Sequence, residues 1–192
     1  MTKQNEGAIF SINKKIYVKP IKNTQIMAKT LMEFLAESDY SALLRFVHST
    51  ATNGIDDKDA ADFYRDAPED WKQTVLNSCA PGPEAEKAIV LYGSDETVHL
   101  LRVRHGFYPQ TLLWALNEGT PEAAERVVKA LKNKPSSEVE VAMLKRCESE
   151  LFKLWIEKFH TLDEEAEKLI NEDPKLWSLK STYIDYQMSR GK

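Results

Sequence analysis

A group of basic and aromatic side chains in the middle of the sequence has the clearest potential for chemistry. Guanidinium groups next to aromatic rings can stack on nucleic-acid bases or hold acidic peptides, and lysines further along the chain add positive charge. We call this group the basic ridge. It consists of Arg102, Arg104, His105, Phe107, Tyr108, Lys129, Lys132 and Lys134.

Two functions fit the basic ridge, and one structural explanation competes with both. The ridge could bind a protein or peptide partner, or it could contact the phosphates and bases of a nucleic acid. Cations near the end of a helix, however, also complement the negative end of the helix dipole. From the sequence alone we favour this simpler explanation, and we keep the ridge as the candidate partner-binding site.

No other residues have the spacing of a catalytic or metal-binding site. The four histidines show no His-Glu-x-x-His pattern, and His48 and His105 share one position of the repeat described below, which indicates a structural role. Cys79 and Cys147 stand 68 positions apart, so no disulfide framework is indicated. The acidic run between residues 56 and 70 lacks the spacing of a calcium loop. We therefore expect no enzyme activity, no cofactor and no metal.

The composition is that of a folded protein without a strongly basic character. Of 192 residues, 42% are hydrophobic and 29% are charged, and the net charge is −4. This balance argues mildly against nucleic-acid binding, because neutralising phosphates supplies much of that affinity. The N-terminal residues lack the apolar core of a signal peptide, and no apolar run reaches the roughly 18 residues of a membrane span. We expect a cytoplasmic protein with no membrane partner.

The elements that must position these side chains follow from a repeat of about 27 residues. An apolar residue lies four positions after each start, a small residue eight after, an acid eleven after and a large apolar residue sixteen after. The pattern holds in five copies, and a sixth copy keeps only its first part. The starts lie 26 to 31 residues apart, at Ala28, Asp59, Ala85, Thr111, Val139 and Ala166.

Each copy has the pattern of two helices joined by a turn. In EAEKAIVLYG, residues 84–93, the apolar residues recur with helical spacing. The small residue ends this first helix, and glycine suits that place because it adopts the left-handed conformation. The acid then begins the second helix, where it can cap free amides. Gly-Thr-Pro-Glu at residues 119–122 shows this punctuation most clearly.

The repeat predicts a single domain over residues 1–192, with three parts. Residues 1–26 precede the repeat and form an arm that is either irregular or a small β-hairpin. Residues 27–175 form the helical repeats. Residues 176–192 form a C-terminal capping helix and tail, because a terminal unit has no neighbour on one side.

With these motifs the chain resembles short-period α-helical repeat proteins of the HEAT-like kind. The EAEKAI motif at residues 84–89, with the glycine and acid that follow it, is also similar to arrays in uncharacterised bacterial proteins. The resemblance implies an all-α, right-handed superhelix, or solenoid, of five to six helix–turn–helix repeats. It implies partner binding and supplies no catalytic residue. We expect a non-enzymatic scaffold for a protein or peptide, with nucleic-acid binding through the basic ridge as the alternative.

Overall fold

A computed structural model of the chain describes residues 29–49 and 55–191. Those residues contain twelve α-helices, one short 3-10 helix and no strand. The prediction of an all-α fold is therefore confirmed for this part of the chain. The predicted arm at residues 1–26, with its possible β-hairpin, lies outside the described residues.

The helices come in six consecutive pairs that follow the six copies of the repeat. In the last pair, a 3-10 helix at Pro174–Leu176 separates the two α-helices. The helix bounds are α1 Leu31–Glu37, α2 Tyr40–Ser49, α3 Asp57–Asp66, α4 Glu69–Ser78, α5 Pro83–Tyr92, α6 Asp95–Arg104, α7 Pro109–Asn117, α8 Pro121–Ala130, α9 Ser137–Lys145, α10 Ser149–Phe159, α11 Glu164–Glu172 and α12 Trp177–Arg190.

The second helix of the first five pairs begins beside the acid of the repeat. Asp39 precedes α2, and its carboxylate accepts a hydrogen bond from the Ala42 amide at 2.8 Å. Thr120 caps α8 by accepting a hydrogen bond from the Ala123 amide, and Pro121 is the first residue of that helix. These side chains satisfy amides that have no partner inside the helix, which is why the helices begin there.

The prediction that left-handed glycines end the first helices is wrong. Gly93 caps α5 in an extended conformation with φ −81°, and Gly119 also lacks a positive φ. A Cβ atom added to either glycine would lie 2.6 Å from a backbone oxygen, that of Ile89 or of Ala115. A small residue is needed because the turn approaches the preceding helix closely, and only Cys147, in the fifth unit, takes a positive φ at this position of the repeat.

The first helix begins later than the repeat predicts. α1 begins at Leu31, three residues after the repeat start at Ala28, whereas the first helix of every other unit begins two residues before its repeat start. A capping box sets this position, because the Glu33 amide donates to the Thr30 hydroxyl and the Thr30 amide donates to the Glu33 carboxylate. At seven residues, α1 is the shortest of the described α-helices.

The helices pack as two rows. Each odd-numbered helix contacts the next odd-numbered helix from α1 to α11, and each even-numbered helix contacts the next even-numbered one from α2 to α12. Helices of seven to fourteen residues are marginal in isolation, so contacts between neighbours must stabilise them. The predicted C-terminal helix is α12, which contacts α10 and α11 at the end of the array.

Apolar side chains between the rows form two adjoining clusters. The first contains buried residues mainly from α1 to α6, including Phe63 and Leu101. The second contains Val90 of α5 and buried residues of α7 to α12, including Trp155. Phe107, in the connection between α6 and α7, packs against both clusters. It therefore links the two parts of the core.

Candidate functional site

Half of the basic ridge lines one cleft. Arg104, His105, Phe107 and Tyr108 come together where the chain passes from α6 to α7, and the cleft between this connection and the residues after α4 has a volume of about 410 Å³. The lysines of the ridge, which follow α8 or end it, do not line this cleft. Its remaining lining residues are Ala80, Pro81, Glu86, Gly106 and Pro109.

Two of the four ridge residues in this cleft are held by the fold. The His105 ring lies with Nε2 2.8 Å from the Leu76 carbonyl oxygen, and Phe107 is half-buried against both core clusters. Arg104 and Tyr108 are exposed. His105 is also exposed although its ring is bonded, so Arg104 and Tyr108 are the two predicted cleft residues whose side chains are exposed and have no hydrogen bond among the described residues.

The lysines of the ridge also differ in whether they are paired or free. Lys129 pairs with Glu125 at 2.8 Å and with Asp95 at 3.8 Å, and the hydrogen bond that its ammonium donates to Glu125 raises the pKa of Lys129. Lys132 is exposed, with no ion pair among the described residues. Two of the three lysines, Lys129 and Lys134, are therefore paired with carboxylates.

Lys134 belongs to a buried ionic network. Its ammonium lies 2.6 Å from Asp163 and 3.3 Å from Glu140, and Glu140 is fully buried. Burial lowers the pKa of Lys134, but the hydrogen bond that it donates to Asp163 and the charge of Glu140 outweigh this effect and raise the pKa overall. Glu140 also accepts hydrogen bonds from the Trp155 indole at 2.8 Å and from the Asp163 amide at 2.7 Å. This network connects α9, α10 and the start of α11.

The floor of the cleft is a carboxyl group that was not expected from the sequence. Glu86 is 1% exposed and accepts hydrogen bonds from the Tyr108 amide at 3.0 and 3.1 Å and from the Thr111 hydroxyl at 2.5 Å. Burial raises the pKa of Glu86 to about 7, with a smaller contribution from the nearby Asp57 carboxylate, while the hydrogen bonds from Thr111 and Tyr108 oppose the rise. Glu86 thus caps the start of α7 from α5.

The two buried glutamates, Glu86 and Glu140, occupy the same position of the repeat, which is a signal that the sequence contains. Glu86 and Glu140 each lie one residue after the start of their unit, and Glu167 has the same position in the sixth. Glu167 accepts a hydrogen bond from the Tyr183 hydroxyl at 3.0 Å. Glu86 and Glu140 thus bond an amide at the start of the next odd-numbered helix, whereas Glu167 bonds a residue of its own unit.

Charged side chains connect helix ends across all the interfaces between consecutive units. We call these contacts inter-unit caps. At the start of the helices, where amides are free, the Asp59 carboxylate accepts a hydrogen bond from the Leu31 amide of α1. The Asp57 carboxylate accepts hydrogen bonds from the Glu84 and Ala85 amides of α5. Together with Glu86 and Glu140, these carboxylates satisfy amides that a helix leaves free at its beginning.

At the other end of the helices, cations donate hydrogen bonds to carbonyl oxygens that have no partner inside the helix. Lys72 donates to the Tyr92 carbonyl at 2.9 Å. Arg126 donates to the carbonyls of Val90 and Leu91. Arg146 donates to three carbonyl oxygens at the end of α7, at 3.0 to 3.1 Å. Each of these bonds complements the negative end of a helix that belongs to a different unit.

Glu86 predicts a pH dependence of stability. Its folded pKa of about 7 lies above the ordinary value of 4.5, so between these values the folded chain holds a proton that the unfolded chain has lost. Its contribution to stability is present below pH 4.5 and is lost as the pH rises through 7. We expect the free energy of unfolding to fall by about 2 kcal/mol from pH 5 to pH 8 relative to Glu86→Gln.

Denaturant unfolding of both proteins at pH 5, 6, 7 and 8 measures this difference. Because the two proteins share their histidines, other titrations in this range cancel in the comparison. A difference that stays constant across the four pH values would show that Glu86 keeps one protonation state throughout.

The exposed face of the even-numbered helices carries a broad groove. It lies between α8 and α10, with a volume of about 670 Å³. Leu151, Leu154 and Pro121 give it an apolar part. Four glutamates and a single lysine surround them: Glu125, Glu148, Glu150, Glu157 and Lys153.

A second groove lies along the same row, between α4 and α6. It has a volume of about 360 Å³ and is lined by polar and apolar side chains: Gln73, Asn77, Glu96, His99, Leu100 and Val103. Val103 is 55% exposed. Both grooves run between neighbouring helices of the even row, so this row offers a surface that extends over several units.

Other kinds of site find little support in the described residues. No group of three or more His, Cys, Asp or Glu side chains is arranged there to hold a metal ion. Cys79 is buried and Cys147 is exposed, and both are free. No helix in these parts of the chain is long and apolar enough to cross a membrane.

Comparison with known proteins leaves the grooves and the cleft as the only guide to function. The chain matches no protein-family model, no curated protein and no solved structure.

Proposed function

We propose that this protein is a non-enzymatic helical-repeat scaffold that binds a segment of a protein partner along its even-numbered helices. In this proposal the six helix pairs form a right-handed superhelix, and the even row is its binding face. Stacked helix pairs present extended surfaces of this kind. The inter-unit caps favour a scaffold, because most of the buried charge bonds helix ends and is not directed at a substrate.

The groove between α8 and α10 is the observation that carries this proposal. It combines an apolar strip with a rim of four glutamates and one lysine. Glu125, Glu148 and Glu150 pair with Lys129, Arg146 and Lys153. Glu157 has no ion pair among the described residues, so the groove keeps a negative charge. A peptide segment with apolar side chains flanked by Lys or Arg would bury the strip and pair with the rim. We therefore take the partner segment to be basic.

Nucleic-acid binding through the basic ridge is the alternative, and it is the weaker of the two. Lys129 and Lys134 already pair with carboxylates, so phosphates would have to compete with those pairs. The remaining exposed cations of the ridge are Arg104, the last residue of α6, and Lys132, which follows α8. Binding to DNA or RNA that weakens steeply with salt would support this alternative over the groove.

Selection of peptides from a displayed random library against the folded protein tests the proposal. We expect the selected sequences to be enriched in Lys, Arg and apolar residues, and to bind with micromolar dissociation constants. Reversing two charges of the rim, Glu150→Lys with Glu157→Lys, should weaken the best peptide at least tenfold, since each charge pair lost costs roughly 1 kcal/mol.

The matched control reverses two exposed charges of the odd row, Glu164→Lys with Glu165→Lys. It changes the net charge by the same amount and also alters the first turn of a helix. Peptide affinity should stay within about twofold of the unmodified protein. Equal weakening by both double variants would mean non-specific attraction, and a failure to select any peptide would contradict the scaffold proposal.

A further inference from the structure

The outermost described helix, α12, carries an apolar stripe on the face that points away from the core. Trp177 and Met188 are 70% and 67% exposed, and Ile184 between them is 42% exposed. Spacings of seven and four residues place all three on one side of a helix. Leu179 is fully buried and Tyr183 packs against the second core cluster, so the core lies on the opposite side of α12.

An apolar outer face is unexpected on this helix. An outermost helix with no further unit against it needs a polar outer face for solubility. Six large hydrophobic side chains are exposed among the described residues, and three of the six belong to this stripe. α12 contacts α10, α11 and the 3-10 helix before it, and those contacts leave the stripe uncovered. The concentration of apolar surface therefore indicates an interface.

The stripe has the heptad spacing of a two-stranded coiled coil. With Ser181 included, its members are separated by four, three and four residues, as the d and a positions of successive heptads are. Ser181 is small and exposed, so the larger side chains on either side of it can still meet those of a partner helix. We call these residues the α12 stripe: Trp177, Ser181, Ile184 and Met188.

Two opposite charges flank the α12 stripe, one on each edge. Lys180 occupies the g position of the heptad and Asp185 occupies the e position. Lys180 is half-buried and Asp185 is exposed, and neither side chain has an ion pair or hydrogen bond among the described residues. In a parallel pair of helices, a g residue lies beside the e residue five positions later in the other helix. Lys180 and Asp185 are five positions apart, so the face is complementary to a second copy of itself.

We propose that two copies of this chain form a parallel dimer through their α12 stripes. In this dimer Trp177 and Ile184 each meet the same residue of the other copy, and Lys180 of each copy pairs with Asp185 of the other. An antiparallel dimer would instead bring like charges together along each edge. The two arrays extend away from each other, because the core lies on the other side of α12. The dimer does not depend on the peptide groove, which none of these residues lines.

Sedimentation equilibrium of the full chain tests the dimer. Two helices of fourteen residues form an interface smaller than the about 1,200 Å² of stable complexes, so we expect a dissociation constant of roughly 1 to 100 μM. Ile184→Glu should raise this constant at least about tenfold, because it places two carboxylates within the contact. A chain that stays monomeric throughout this concentration range would overturn the proposal and leave the α12 stripe to a different protein.

Val103→Glu is the matched control for Ile184→Glu. Val103 is 55% exposed on α6, and the substitution adds the same charge to another β-branched position. It should change the dissociation constant by less than about twofold, and melting temperatures show whether both variants remain folded. Equal weakening by the two variants would contradict an interface at α12.

Charge reversal tests whether the partner helix is a parallel copy of α12. Lys180→Glu alone should weaken the dimer about tenfold, because the new carboxylate lies beside Asp185 of the other copy in two symmetric places. Adding Asp185→Lys to the same chain should restore the dissociation constant to within about threefold of its original value. A double variant no tighter than the single one would rule out the parallel pairing.

Cross-linking tests the alignment directly. In the parallel dimer residue 181 meets itself, so Ser181→Cys should form a disulfide between copies under mild oxidation. Cys147→Ser provides the background, because Cys147 is exposed while Cys79 is buried. Ser189→Cys is the control, since Ser189 is exposed on α12 but lies away from the α12 stripe. Equal cross-linking at positions 181 and 189 would indicate random collision and would count against the proposal.

Discussion

Gly119→Val is expected to lower the free energy of unfolding by about 3 kcal/mol or more. A Cβ atom at this position would lie 2.6 Å from the Ala115 carbonyl oxygen and 2.9 Å from the Ala115 Cα. Both are backbone atoms, so the clash can be relieved only by moving the turn. The Gly119 carbonyl also accepts a hydrogen bond from Arg146 at 3.0 Å, which movement of the turn would break.

Denaturant unfolding measures the loss, and two further variants identify its cause. Gly119→Ala should lower the free energy of unfolding almost as much, because the Cβ atom alone already clashes with the backbone of Ala115. Gly191→Val serves as the control, since a Cβ there would be 3.7 Å from the nearest atom, the Gln187 oxygen. Equal melting temperatures for Gly119→Val and Gly191→Val would contradict the close-approach explanation.

Glu140→Ala should destabilise the chain by about 3–5 kcal/mol, because it breaks a buried ionic network. The substitution removes the acceptor of the Trp155 indole and of the Asp163 amide. It also leaves Lys134 with one carboxylate partner in place of two. Trp155 is fully buried, so its N–H would have no water to replace the lost acceptor.

A double-mutant cycle separates the network from simple loss of packing. Trp155→Phe removes the indole donor, so Glu140→Ala should cost at least about 1 kcal/mol less in that background. Glu164→Ala, an exposed acid at the start of α11, should change stability by less than about 0.5 kcal/mol. Additive costs for Glu140→Ala and Trp155→Phe would rule out energetic coupling between these two residues.

The positions of the helix pairs could be predicted from the sequence because the residues that begin and end these helices act on neighbours close by in the chain. An acid at the start of the second helix and a small residue at the turn depend on neighbours a few residues away. Thr120 and Pro121 illustrate this, since both cap α8 as expected. The late start of α1 could not be predicted in the same way, because the capping box at Thr30 overrides the apolar spacing.

The function of the small residue could not be predicted, because two explanations share one sequence signal. Glycine permits a left-handed backbone, and it also permits a close approach between backbone segments. Gly93 and Gly119 follow the second explanation. Only the path of the chain distinguishes the two, and that path depends on how the helices pack.

The candidate site was only partly predictable. Arg104, His105, Phe107 and Tyr108 are close in sequence, and they share a cleft. Their floor, Glu86, lies in α5, 22 residues before Tyr108, and a glutamate on a helix is usually exposed. The grooves could not be found at all from the sequence, since each is formed by side chains of two helices that lie in different units.

The inter-unit caps restrict how this gene could change in length. Deleting the fourth unit, the 28 residues from Thr111 to Glu138, would leave Glu86 facing a helix with a different beginning, and Arg146 without the end of α7 that it binds. Inserting an identical unit would separate the same partners. Although the units look alike in sequence, each forms hydrogen bonds with particular neighbouring units. Loss or duplication of a whole unit should therefore be tolerated less readily than substitutions on the exposed face of the even-numbered helices.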